Sequence, residues 1–478
     1  MPATDAYLLD NFQCKTDSVD TRNGYTEHAT GLGGEVKTLA RYSGSVPKLL
    51  GFADGSIFNV TAVGAVGAAL ATGRTEDEVQ TTMFSNAAGV QWMIGVNGAD
   101  NPFSFDGTSI ASLTITGCDN GDNSLVNVLV HKGRLFFSAF NELNLYYLAP
   151  GDIQGAASKF DLSQICSEGG EIMAIGSITR DGGNGPDDYL VAVTDQGEVI
   201  VYQGIDPASS DTWSLVGKYK TATPAGRKCL FKYGGDLILI TGSGLIPLSK
   251  LMSGEEFVVG RDSLSAKLGS ALTRYIAQTS THGWQAVLHD TSQMLLFNVP
   301  VGNGEYVQFI MNTITGAWSR FTDWNGACWE VAQGALYFGG ADGKVYQADN
   351  GADDNGEDIR CNAKQAYSYF DTPFLKHFHD ARLLFAFTGT APVSATFNTD
   401  FKDNVPQYQS APTGDDGSEW DTSDWDVAEW APDEETQMLW LTLDAMCRAG
   451  SLWLRLLTNG ASFKWYATEY LFEKGGIV

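Results

Sequence analysis

Apolar and polar positions alternate along this chain in short runs, and one compound pattern returns seven times. A short apolar run leads into a turn containing Gly, Asp or Asn, and a second run carrying aromatics follows. The pattern occurs as KLLGFADGSIFNVT (48–61), WMIGVNGADNPFSFDG (92–107), RLFFSAFNELNLYYLA (134–149) and YLVAVTDQGEVIVYQG (189–204). It continues as DLILITGSGLIPLS (236–249), QMLLFNVPVGNGEYVQFIMN (293–312) and ALYFGGADGKVYQAD (335–349). Alternation with period two is the mark of a half-buried strand. Asp54-Gly55 and Asp342-Gly343 supply the positive φ that a tight hairpin turn demands, and Gln196-Gly197 approximates it. Each unit therefore reads as a β-hairpin.

The hairpins start 44, 42, 55, 47, 57 and 42 residues apart, close to the roughly 40–50 residues of a β-propeller blade. One hairpin cannot bury its own face, so stacking such units about an axis is the natural solution. The expectation is an all-β chain with a β-propeller of five to seven blades. Six are favoured, because 293–312 and 335–349 could share one sheet; a pair of ordinary β-sandwiches is the alternative. After the last hairpin, DNGADDNGEDIR (349–360) is polar and acidic. The domain reading is a propeller with an N-terminal strand region over 1–350, an acidic linker over 351–359 and a smaller sandwich-like β domain over 360–478. Helix signals are sparse, and SLSAKLGSALTRYIAQTS (263–280) is the best candidate.

Composition agrees with an all-β reading: Gly is high at 54 residues and Pro low at 14, as many tight turns require. Charge adds more. With 57 Asp plus Glu against 30 Lys plus Arg, the formal charge is −27. Binding to phosphates draws on clustered cations, so tight or sequence-specific nucleic-acid binding is not expected. Such a surface also serves plain solubility. The seven cysteines (Cys14, Cys118, Cys166, Cys229, Cys328, Cys361 and Cys447) are odd in number, widely spaced and without CxxC pairs. They read as reduced thiols of a protein folded in a cytosol. No secretory signal is evident at MPATDAYLLDNF, and VTAVGAVGAALATG (60–73) is too short for a transmembrane segment.

Candidate chemistry is thin. There is no G-x-S-x-G, H-E-x-x-H or P-loop, nor a strand-to-helix G-x-G-x-x-G, so no catalytic residue and no cofactor site is assigned. His377, His379 and Asp380 in FLKHFHD form the one compact histidine cluster. Strand alternation puts the two histidines on one face and Asp380 on the other, which favours a solvated strand face over a metal site. The loops CDNGDNS (118–124) and DNGADDNGED (349–358) offer oxygens for calcium, but they lack the twelve-residue pattern and its closing Glu. Turns are the better reading.

WDTSDWDVAEW (420–430) spaces Trp420, Trp425 and Trp430 five residues apart, with carboxylates between them. Propeller Trp-Asp dipeptides recur about every forty residues, so this is no repeat signature. Positions five apart fall on opposite faces of a strand and about 140° apart on a helix, so neither makes one flat sugar platform. A turn-rich ribbon fits, with the three tryptophans either packed within the chain or forming a subunit or partner contact.

Longer stretches carry a lineage. VNGADNPFSFDG (96–107), KGRLFFSAFNELNLYYLAPGDIQGAASKFDL (132–162), GNGPDDYLVAVTDQGEVIVYQGIDPASSDTWSLVGKY (183–219), GGDLILITGSGLIPLS (234–249) and NTITGAWSRFTDW (312–324) resemble the tail hub or nozzle proteins of short-tailed, podovirus-type phages and prophages. NGYTEHATGLGGEVKTLARY (23–42) is similar to that family's N-terminal region, and WDTSDWDVAEW to its C-terminal region. The resemblance implies a virion structural protein without enzymatic activity. It would be assembled in the host cytoplasm as a homohexameric ring below the portal and the head-to-tail adaptor. Such a ring extends the DNA channel, lets double-stranded DNA pass, helps retain the packaged genome and supports tail fibres or spikes. An acidic lumen would suit that passage. The alternative is a phage-tail propeller that binds or degrades glycans.

Overall fold

The computed structural model describes residues 6–86, 88–181, 186–253, 263–269, 272, 275, 282–388, 392–408 and 435–475. Each of the seven hairpins is an antiparallel pair in a different sheet. The first sheet runs Thr38–Tyr42, Lys48–Ala53, Ser56–Asn59, and the second Gln80–Ser85, Gln91–Val96, Phe103–Phe105, Ile110–Ser112. The third comprises Leu125–His131, Arg134–Ala139, Asn144–Tyr147 and Ser158–Asp161; the fourth Ile172–Asp181, Pro186–Thr194, Glu198–Gly204 and Trp213–Lys220. The fifth has Leu230–Tyr233, Asp236–Thr241 and Gly244–Pro247, and the sixth begins Gln285–His289, Met294–Gly302, Glu305–Asn312, Trp318–Phe321. The seventh is Cys328–Ala332, Ala335–Gly339, Val345–Ala348 and, out of sequence order, Tyr25–Thr30 and Gly64–Ala65.

Apolar side chains between neighbouring sheets make these units blades. Phe52 and Phe103 pack between the first and second, Ile94 and Phe137 between the second and third, and Leu145 and Ile200 between the third and fourth. One cluster joins the fourth, fifth and sixth through Val191, Leu239 and Phe297. Met294 and Trp329 join the sixth to the seventh, and Val345 and Leu39 return from the seventh to the first. The ring is closed, and the fold is a β-propeller. Among the described residues it counts seven sheets, one more than the favoured six. The hairpins at 293–312 and 335–349 do not share a sheet, because each has its own preceding strand, Gln285–His289 and Cys328–Ala332.

The turns follow their chemistry in part. Asp54 and Gly55 both take positive φ (49° and 67°), and a Cβ on Gly55 would stand 2.7 Å from the Arg74 carbonyl oxygen. At 196–197 and 342–343 only the glycine has positive φ (83° and 74°), so those turns are of another type. Within the helix candidate, residues 264–268 form turns, Gly269, Leu272 and Tyr275 are helical, and the other positions of 270–281 lie outside the described residues.

The C-terminal strands form two sheets packed on a common core of Phe12, Leu383, Phe385, Leu454 and Phe463. One sheet orders Phe12–Cys14, Val19–Thr21, Ser462–Lys474, Lys376–Thr388 and Glu435–Cys447. The other orders Ala6–Asp10, Ile359–Gln365, Gly450–Thr458 and Ser394–Thr399, and continues the sixth blade through Trp318–Phe321. Residues 6–21, expected within the propeller, thus belong to these sheets. They pair better there because Ile359–Gln365 and Ser462–Lys474 would otherwise expose their edges.

The junction is polar and buried. Asn11, fully buried, donates to Thr322 Oγ1 and to the Arg360 carbonyl at 2.9 Å each, and its Oδ1 accepts from Arg22 Nε at 2.9 Å. Arg22 holds Asp354 in a two-pronged pair (2.7 and 2.6 Å) and lies 5.0 Å from the Trp324 ring centroid. Their side chains are 1% and 4% exposed, so Asp354 anchors the acidic stretch at 351–359, most of which is exposed. Nearby, Arg320 grips Asp10 at 2.7 and 2.9 Å.

Removing one partner of such a pair strands a buried charge. Arg22→Ala should therefore cost about 3–5 kcal/mol in denaturant unfolding, whereas the double variant Arg22→Met, Asp354→Leu should recover most of that loss. Equal losses in both would show that packing, not charge, holds the junction.

Candidate functional site: the axial cavity

The first strands of neighbouring sheets pack on one another from the second blade round to the first, so these seven strands surround the propeller axis. Between those of the fifth, sixth, seventh and first blades lies a cavity of about 520 Å³. Its wall combines apolar Phe231, Val287 and Leu288 with Arg41, Lys232, Gln285, Asp290 and Glu330. Within CWEVA, Cys328 is buried against the Val36 carbonyl, and the partly buried Glu330 lies in the cavity wall.

Several wall groups are held in place. Gln285 clamps the seventh blade, donating to the Trp329 carbonyl at 2.7 Å and accepting from its N–H at 3.1 Å. His289 is buried, with Nε2 3.1 Å from the Gly334 carbonyl and Nδ1 3.6 Å from Asp349. Arg41 donates to the Val331 carbonyl at 3.3 Å, while Glu330 accepts the Val331 N–H at 3.1 Å. Burial pushes the Glu330 carboxyl up to about 7, although the Arg41 charge and, more weakly, Lys228 pull it down.

Toward the opposite end of the inner strands, Glu78 stands 3.5 Å from His282. Glu78 precedes the second blade and His282 the sixth, so in a closed ring of seven their contact crosses the axis. Burial works to raise the Glu78 carboxyl, but His282, Lys228 and Arg227 together hold it below the usual range. Tyr306 reaches Glu35 at 3.4 Å nearby. The propeller axis is therefore obstructed.

The groups singled out in the sequence lie elsewhere. Trp420, Trp425 and Trp430 fall outside the described residues. His377 and His379 do share a face, with ring centroids 4.3 Å apart, and lie 2.8 Å from Asp444 and 3.7 Å from Glu473. A bulge between Phe378 and Asp380 resets the alternation, so Asp380 pairs with solvent-facing Leu471 rather than pointing to the core. Among the described residues no group of three His, Cys, Asp or Glu is arranged to hold a metal. The two acidic loops spend carboxylates on their own turns and neighbours: Asp122 accepts from the Ile115 N–H at 3.2 Å, Asp119 pairs with Lys159 at 2.9 Å, and Asp353 accepts from the Gly356 N–H at 2.6 Å. None of the seven cysteines is in a disulfide, and burial pushes the Cys229, Cys328 and Cys361 thiols up to about 12. No helix among the described residues is long and apolar enough to cross a membrane.

Arg41, Lys232 and Glu330 carry no motif and were not singled out in the sequence. The available signal was a lone charge in an otherwise apolar strand just ahead of a hairpin, as in CWEVA.

No family model matches the chain, and no curated protein matches it. Solved structures are similar at the level of fold. The computationally designed Ika8 protein shares 11% identity over 68% of this chain and 99% of its own, with a TM-score of 0.38. The β-propeller domain of Myceliophteria thermophila Cps50 (Swd1) shares 11% over 63% and 93%, with a TM-score of 0.39. Chaetomium thermophilum Raptor shares 10% over 69% of this chain and 30% of its own, with a TM-score of 0.43.

Glu330 makes a pH prediction. Its folded pKa, about 7, exceeds the ordinary 4.5, so the folded state holds a proton that the unfolded chain has released. Stability should fall as pH rises across that window. Glu330→Gln should flatten this slope in pH-dependent thermal melts, raising the midpoint above neutrality while leaving it unchanged in acid; parallel pH profiles of the two proteins would contradict it.

Proposed function

We propose that the protein is a structural subunit of a short-tailed phage tail, a hub or nozzle that works by assembly rather than catalysis. Copies would form a ring, six in number, below the portal and adaptor. Packaged DNA would pass through the space between copies, and tail fibres or spikes would dock outside. The obstructed propeller axis supports this arrangement, since a conduit must then lie between subunits. The charge of −27 supports passage of DNA without adhesion, because an acidic wall repels phosphates.

One surface carries the proposal. On the outer face of the sheet formed by Ser462–Lys474, Lys376–Thr388 and Glu435–Cys447, Met438, Trp440, Met446 and Leu471 are 58, 58, 66 and 58% exposed. The thirteen-residue strand Glu435–Cys447 is also the sheet edge, unpaired on its outer side among the described strands. Long apolar edges invite another chain. A second copy is the partner of choice on electrostatic grounds: strongly acidic subunits can meet only where charge is locally neutralised. On this face Arg382 pairs with Glu469 and stacks 5.3 Å from the Trp440 ring, and His377 sits against Asp444.

Native mass measurement tests the reading. Six copies of 51.5 kDa give 6 × 51.5 = 309 kDa. Trp440→Glu should shift the purified protein to the monomer while its thermal midpoint stays within about 2 °C, as for a surface substitution. A wild-type monomer at every concentration, or an isolated subunit that binds or cleaves host polysaccharide, would defeat the proposal.

A further inference from the structure

We infer that the axial cavity is a binding site for a small organic carboxylate, gripped by Arg41 and Lys232 with its hydrocarbon part against Phe231, Val287 and Leu288. The volume of about 520 Å³ lies within the range of small-molecule pockets, which join apolar walls to a few convergent polar groups. Arg41 spends one guanidinium N–H on the Val331 carbonyl and pairs with no carboxylate within salt-bridge distance among the described residues. Lys232, exposed on the fifth blade, likewise has no ion-pair partner there. Two cations that face one cavity without a salt-bridged carboxylate among the described residues are conspicuous in a chain with 57 acids and 30 bases. A planar guanidinium fork matches a carboxylate, and an ammonium adds a point charge.

The remaining titratable groups set the pH dependence. Glu330 faces the cavity from the seventh blade, with its carboxyl pushed up to about 7, so below neutrality it is protonated and donates a hydrogen bond to the bound anion. Above neutrality it ionises and repels that anion. Asp290 lies at the exposed rim of the sixth blade, and buried His289 is engaged by the Gly334 carbonyl and Asp349. Lys228, sensed by Glu330 from the fifth blade, adds to the positive field. The site is distinct from the outer sheet face, so it stands or falls apart from the assembly reading.

Saturation-transfer NMR on the full chain tests it, with hexanoate and benzoate as probes and hexanol and hexylammonium as controls. The carboxylates should bind at about pH 6 and weaken by about tenfold by about pH 8, the loss of one charge-assisted hydrogen bond. Arg41→Gln should abolish binding with its thermal midpoint retained. Glu330→Gln should bind at both pH values, because the amide still donates and never ionises. Binding of hexylammonium in preference to hexanoate, or hexanoate binding undiminished in a folded Arg41→Gln protein, would overturn the assignment.

Discussion

Closure of the ring is the constraint on which everything else depends. No blade here can bury both of its faces, so each relies on a neighbour on either side, and an open array would leave two bare sheets. The chain closes itself by placing Tyr25–Thr30 beside Val345–Ala348, with Tyr25 opposite Ala348 and Ala29 opposite Val345. The last blade is thus built from both ends of the propeller sequence. Unfastening it would open the Val345–Leu39 core that joins the seventh blade to the first.

That same closure dictates how the second unit is attached. The segment leading into Tyr25–Thr30 must run past the sixth blade, and residues 6–21 complete both C-terminal sheets on the way. The crossing concentrates polar backbone in a buried place. Asn11, Arg22 and Asp354 satisfy it with one another and with the carbonyls of Thr322 and Arg360. A buried network of this sort is tolerable only when every member finds a partner, and the two units share strands across the junction.

Inside the ring, burial and sequence order act together. The innermost strands bring Arg41, Lys232 and Glu330 to one cavity, although long stretches of chain separate them. Glu78 and His282 meet across the axis for the same reason. Burial raises the cost of charge there, which is why Glu330 departs so far from an ordinary carboxyl group.

The sequence by itself determined the local elements. Period-two alternation marked all seven hairpins, and Asp54-Gly55 adopts the positive φ its residues favour, because strand faces and tight turns are decided by neighbours a few residues apart. Spacing near one blade length made the propeller legible. Tertiary structure decided the rest: that the sixth and seventh hairpins occupy separate sheets, that residues 6–21 cross to the C-terminal unit, and that a bulge at His379 turns Asp380 outward. It also decided which charges meet at the axis. Pairings between residues hundreds of positions apart leave no local imprint, since a strand edge accepts any partner with free backbone groups and the choice is made by which pairing closes the core.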